Sequence, residues 1–188
     1  MTAEAASHPQ RRSRWRSSRW VVAALGVSAV LVALGMSIYV FPPSSELPKR
    51  ADVIYVIGPP TEGRIDLAEK LHEEGVASDI LISVPLDGEQ SAAELSVCQR
   101  SFVTCAHPEP FTTAGEMMLL DSRYGADATA IVVTFTPHVS RTRFIAERCA
   151  EPTVTVVAAP TSLSPWEWLY QFAYQTGGFA KAFAQSCR

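Results

Sequence analysis

Arg11, Arg12, Arg14, Arg16 and Arg19 stand directly before a run from Val21 to Phe41 that holds no charged residue. At ~1.5 Å per residue a helix over this run reaches across a hydrocarbon core of ~30 Å. The arginines are costly to move through lipid, so the positive-inside bias keeps them in the cytoplasm. The pattern predicts a basic cytoplasmic tail over 1–20, a transmembrane helix over 21–41, a linker over 42–50 and an extracytoplasmic domain over 51–188 of a plasma-membrane protein. A cleaved signal peptide is the competing reading. Its apolar region is usually ~7–15 residues and ends in a small-x-small site, whereas this run exits through Tyr39-Val40-Phe41-Pro42-Pro43.

Charge separates the two halves. Residues 42–188 carry 11 Lys and Arg against 18 Asp and Glu, while residues 1–41 carry 5 against 1. An acidic domain without a basic stripe argues against a nucleic-acid partner. All four cysteines, Cys98, Cys105, Cys149 and Cys187, lie in the exported part, where disulfides are the expected state. Three pairings are open; Cys105–Cys149 with Cys98–Cys187 is the weakly preferred one. No CxxC or HxxxH spacing suggests a metal.

Short apolar runs alternate with helical patterns through the domain. Strands are predicted over Val53–Ile57, Asp79–Ser83, Phe102–Cys105, Thr129–Thr134 and Thr153–Ala158. Helices are predicted over Gly63–Glu74, Ser91–Gln99, Thr113–Tyr124, Pro137–Cys149 and an aromatic tail from Pro165 to Cys187, expected to pack on the sheet. This order predicts an α/β fold, a Rossmann-like parallel sheet of about five strands with helices on both faces, preceded by one transmembrane helix. Ligands of such sheets collect beyond the C-terminal strand ends, which directs attention to the loops after Ile57, Ser83, Cys105 and Thr134.

Two of those loops carry chemistry. In Thr134-Phe135-Thr136-Pro137-His138-Val139-Ser140-Arg141, Thr136 can cap and Pro137 suits a first helical turn. His138 and Arg141 then share a face at a helix start, a natural place for an anion; the bland reading is local ion pairing and packing. In Thr112-Thr113-Ala114-Gly115-Glu116, the Thr113-x-x-Glu116 spacing is that of a capping box, a purely structural role, unless Glu116 serves as a general base. Arg64, in the first turn after the first strand, is either solvated or part of the same sheet edge. No GxGxxG, P-loop, GxSxG or HExxH pattern occurs.

Taken in order, Ala51 to Gly58, Arg64 with Ala68 and Leu71, Gly75, Ile80 to Ser83, Thr112 to Glu116, Val132 to Thr134 and His138-x-x-Arg141 resemble the YdcF-like family of SanA- and ElyC-type envelope proteins. The resemblance spans Ala51 to about Pro160. It implies a Rossmann-like domain with a polar site of Arg64, Thr113, Glu116, His138 and Arg141, often behind a membrane anchor. It also implies a role in envelope integrity, and for one branch S-adenosylmethionine binding. Two departures stand out: Pro59-Pro60 and Val84-Pro85 occupy positions where the family usually has glycines, and both remove amide donors.

The expected function is that of an envelope protein binding or hydrolysing a phosphorylated, membrane-associated substrate, such as a lipid-linked or cell-wall precursor. In it Arg64, Thr113 and Arg141 bind the substrate, His138 acts as acid or anchor, and Glu116 handles a water or hydroxyl. The alternatives are a non-catalytic scaffold or sensor, and an S-adenosylmethionine-binding protein. No cofactor is named by the sequence.

Overall fold

In the computed structural model, which describes residues 11–185 and Cys187, all four residues of strand β1, Val53–Val56, are buried. Successive side chains of a strand point to opposite faces, so such a strand must be covered on both. Val53 and Tyr55 join Leu81 and Val132 in one apolar cluster, completed by Met117, Leu120 and Ile145. Ile54 and Val56 join Ile80, Ile82 and Val133 in the other, completed by Ala68 and Leu71.

The elements that supply these residues alternate along the chain. Helix α2 (Glu62–Glu73) follows β1. Strands β2 (Asp79–Ser83) and β3 (Val103–Ala106) precede helix α3 (Thr113–Tyr124). Strand β4 (Thr129–Phe135), helix α4 (Val139–Cys149), strand β5 (Thr153–Ala159) and helix α5 (Pro165–Ala184) complete the domain. All five strands run parallel, in the order β3-β2-β1-β4-β5. The expected Rossmann-like sheet is therefore present. Strand order reverses between β1 and β4; β1 ends at Val56, opposite Val133, while β4 runs on through Thr134 to Phe135. The Ile57 amide extends that pairing by donating to the Val133 carbonyl at 3.2 Å.

Gly115 shows how tightly α3 is seated. A Cβ at this position would overlap the Pro110 carbonyl oxygen, so only glycine lets the first turn lie on the preceding loop. At its other end α3 stops at Gly125, whose φ of 76° suits glycine.

Ahead of the domain, helix α1 (Arg11–Gly35) runs into a π turn, Met36–Val40, and the span Arg19–Val40 is long and apolar enough to cross a membrane. The first ten residues of the expected tail lie outside the described residues. The base of this helix is docked on the domain: Tyr39 donates or accepts at 2.9 Å with Thr176, Ser140 donates to the Ile38 carbonyl at 2.7 Å, and Arg143 donates to the Pro43 carbonyl at 2.5 Å.

Three expectations are corrected. The segment 91–99 is not a helix but a pair of turns and a 3-10 turn, Ser96–Gln99. Leu95 is extended, Val97 is turned into the core and Cys98 is bonded to Cys105, which together prevent a continuous i to i−4 ladder. The cysteines pair as Cys98–Cys105 and Cys149–Cys187, not as expected. Cys105 is on edge strand β3, while Cys149 ends α4, which packs on β5 at the opposite edge. Strands are spaced ~4.8 Å apart, so the two cannot meet the ~7 Å Cα limit of a disulfide. The aromatic tail, finally, packs only in part: Phe172 and Phe179 lie on Tyr39, and Phe179 and Phe183 on Phe144, but Trp166, Tyr170 and Tyr174 remain exposed.

Proteolysis under non-reducing conditions is expected to yield one peptide pair joined through Cys98 and Cys105 and another through Cys149 and Cys187. A Cys105–Cys149 cross-link would contradict the strand order.

Candidate functional site

The sheet edge where β1 and β4 end gathers the charged groups that the core encloses. Arg64, Glu116 and His138 are all nearly inaccessible to solvent. Arg64 comes from the first turn of α2 and reaches back over the strand end, donating from Nη1 to the Ile57 carbonyl at 3.1 Å and the Pro59 carbonyl at 2.8 Å. Its guanidinium lies 4.8 Å from the centre of the Phe135 ring, a cation–π contact. The Gly58 amide, in the same loop, donates to Glu116 Oε1 at 2.6 Å. The buried Ser83 hydroxyl faces that carboxyl but closes no well-formed hydrogen bond.

His138 connects this group to Arg141. Arg141 Nη2 lies 2.8 Å from His138 Nε2, and His138 Nδ1 lies 3.1 Å from Thr134 Oγ1. A guanidinium can only donate, so Nε2 must be the acceptor and the ring proton must sit on Nδ1, donating to Thr134. The ring is consequently neutral. Burial, then the nearby charges of Arg141 and Arg64, hold its pKa well below the usual histidine value. A neutral imidazole whose free lone pair already binds Arg141 serves to aim that guanidinium.

Burial pushes the Glu116 carboxyl up to about 7, even though the Gly58 amide, Ser83, Arg64 and Arg141 all favour its charged form. Burial likewise lowers Arg64 to about 10, opposed by the charge of Glu116. Among the described residues no carboxylate is in ion-pair contact with Arg64 or Arg141. Two guanidiniums thus share the site with one carboxyl that is half protonated near neutrality, leaving a surplus of positive charge.

Arg141 also borders an open cleft of about 520 Å³ between the start of α3, α4 and α5. Thr112 and Thr113 form one wall, Arg148, Tyr174 and Lys181 the other, and no Asp or Glu lines it. Arg148 is tied by Nη1 to the Ala182 carbonyl at 2.8 Å. Arg141 crosses the Tyr174 ring at 5.4 Å and packs so closely on Gly178 that a Cβ there would overlap the guanidinium. The amides of Thr113 and Ala114, the first two of α3, have no acceptor within the helix. Arginine, lysine and free helical amides facing one space make a site for an anion.

The residues singled out in the sequence thus fall in two connected places. Arg64, Glu116 and His138 form the sealed cluster, Thr113 lies in the cleft, and Arg141 belongs to both. Two local expectations change. The cap of α3 is Thr112, which accepts from the Gly115 amide at 3.2 Å, and no Thr113–Glu116 capping box forms, because the Glu116 side chain is turned to Gly58. Thr136 does not cap; it starts a 3-10 turn, Thr136–His138, whose N-cap is Phe135. Arg148 and Lys181 were not singled out. Arg148 is seven residues beyond Arg141, on the same helical face, which is a readable signal; Lys181 reaches the cleft only through the docking of α5. Among the described residues no three His, Cys, Asp or Glu side chains gather as metal ligands.

No protein-family model, no curated protein and no solved structure matches the chain. Fold and site define its class from their own geometry: a Rossmann-like α/β domain with a cationic cleft between α3, α4 and α5, behind one helix able to cross a membrane.

The Glu116 shift carries a pH signature. An ordinary carboxyl near 4.5 raised to about 7 on folding means that the folded state holds the extra proton between those values. Its contribution is favourable at low pH and is lost as pH rises through this window, on the order of 3 kcal/mol in all. His138 has the opposite sign, since a depressed histidine costs stability as pH falls below its unfolded value of 6.5. Comparing wild type with Glu116→Gln isolates the first effect. The variant should be relatively more stable at pH 8 than at pH 5 in denaturant titrations; a difference independent of pH would contradict a raised Glu116.

Proposed function

We propose that this is a single-pass membrane protein whose domain faces the extracytoplasmic side, a YdcF-like protein of the cell envelope that binds a phosphorylated, lipid-linked precursor. The observation that carries this reading is the cleft: Arg141, Arg148 and Lys181 line it without a carboxylate, in a region that carries 11 basic against 18 acidic residues. Positive charge is concentrated where a ligand can enter, against the average of the domain.

In this reading the phosphate sits against the Arg141 guanidinium and the first amides of α3, with the Thr113 hydroxyl as a further donor. Lys181 adds long-range attraction from α5. His138 holds Arg141 in place rather than supplying a proton, and Arg64 closes the floor of the site by tying the loop after β1. The two disulfides, Cys98–Cys105 and Cys149–Cys187, suit an oxidising compartment.

A hydrolytic reading of the same site is favoured by one observation, the Glu116 carboxyl raised to about 7. A carboxyl poised there can take a proton from a water and return it to a leaving oxygen. Glu116 is enclosed in this conformation, so binding is the first claim and turnover requires that the Phe111 loop, whose ring lies over Gly58, move aside.

Thermal denaturation of the full-length protein in detergent tests the binding claim, with pyrophosphate and a short-chain polyprenyl phosphate as probes. A ligand at 100 times its Kd stabilises the folded state by about 2.7 kcal/mol. Both probes are expected to raise the melting temperature of wild type. Arg141→Ala should weaken binding by roughly 10- to 100-fold, the loss of a charge-assisted hydrogen bond of ~1.5–3 kcal/mol. An unchanged melting temperature with both probes would overturn the phosphate reading and favour a scaffold.

A further inference from the structure

The thirteen residues from Trp168 to Ala180 carry no charge, although they make up most of helix α5. One side of that helix faces inward through Phe172, Gln175, Phe179 and Ala182. The other side presents Trp166, Leu169, Tyr170 and Tyr174, which are 76%, 59%, 61% and 52% exposed. Their spacing of three and four residues places them in a single stripe. Aromatic and aliphatic side chains at such exposure form a surface that favours an apolar neighbour, although one face of the Tyr174 ring also meets the Arg141 guanidinium.

The anchor identifies that neighbour. Its last turn crosses the middle of α5: Gly35 packs against the Phe172 ring so closely that a Cβ would overlap it, and the Tyr39 ring meets Phe172 edge-on at 5.3 Å. Tyr39 and Thr176 share a hydrogen bond of 2.9 Å at the same crossing. The middle of α5 therefore sits where the apolar span Arg19–Val40 ends, which is the level of a bilayer surface if that span crosses one. At this end of the anchor Leu34, Met36, Ile38 and Phe41 are likewise exposed apolar residues.

We propose that α5 lies in the outer headgroup layer of the bilayer that α1 crosses, with Trp166, Leu169, Tyr170 and Tyr174 inserted among the lipids. Trp and Tyr are the residues favoured at that depth, and a helix lying in the interface plane buries its apolar face ~5–10 Å into the headgroup–acyl boundary. Anchor and α5 then hold the domain at two places, which fixes its tilt. The cleft wall formed by Tyr174 and Lys181 opens at headgroup height. This inference rests on the membrane-spanning reading of α1 but not on the nature of the cleft's ligand.

Two single-tryptophan forms of the full-length protein separate the claims. In the first, Trp15→Phe, Trp20→Phe and Trp168→Phe leave Trp166; in the second, Trp15→Phe, Trp166→Phe and Trp168→Phe leave Trp20 in the anchor. Each is reconstituted into phosphatidylcholine bilayers with and without bromine at carbons 6 and 7 of the acyl chains. Loss of emission from both Trp20 and Trp166 in the brominated bilayers is the expected result. Quenching of Trp20 with full emission from Trp166 would overturn the proposal while leaving the anchor, and would point to a second copy or another protein over α5. Full emission from both would overturn the anchor and the proposal together.

Discussion

The hydrogen bond from Arg141 to His138 Nε2 is the contact on which the rest of the site depends. It exists only while the imidazole is neutral, because a protonated ring has no lone pair to offer. Burial enforces that state, and the Arg141 charge deepens it, so donor and acceptor each make the other's protonation state necessary. Thr134 at the end of β4 receives the ring's remaining proton, which couples the orientation of a surface guanidinium to a residue in the middle of the sheet. On its other side Arg141 lies across Tyr174 and against Gly178, so the docking of α5 depends on the same side chain.

The electrostatic design follows from this arrangement. Arg64 and Arg141 are brought toward the strand ends without a carboxylate in contact with either, and Glu116, the one buried acid nearby, is kept partly protonated by burial. A buried surplus of positive charge costs stability in isolation. It becomes favourable when an anion arrives, which is why such arrangements occur where ligands bind. The loop Gly58-Pro59-Pro60 fits this picture in an unexpected way. Its prolines contribute no amide donors, but the one amide that remains, Gly58, is spent on Glu116 rather than on a ligand.

How much of this could be read from the chain depends on the range of the interaction. The β-branched runs at Val53 and Thr129 are buried on both faces and could only be central parallel strands, so the sheet was legible. His138 and Arg141 are three residues apart on one helix, and their contact follows from helical geometry. The segment 91–99 departs from the helix its spacing predicts because that spacing is local while the Cys98–Cys105 bond and the burial of Val97 that shape it are not. The disulfide pairing failed for the same reason: it needs the strand order, which places Cys105 and Cys149 at opposite edges. The capping residue shifted from Thr113 to Thr112 because Glu116 is drawn to the Gly58 amide, 58 residues away, and Lys181 joins the cleft only through helix docking.

The measurement closest to the central claim is the protonation of the His138 ring, read by long-range nitrogen–proton correlation on protein labelled at histidine nitrogen, between pH 5.5 and 8. A neutral ring protonated at Nδ1, unchanged across that range, is the predicted result. A ring that becomes an imidazolium within it, or one that carries its proton on Nε2, would show that Arg141 is not held by this bond, and the geometry of the cleft would have to be rebuilt without it.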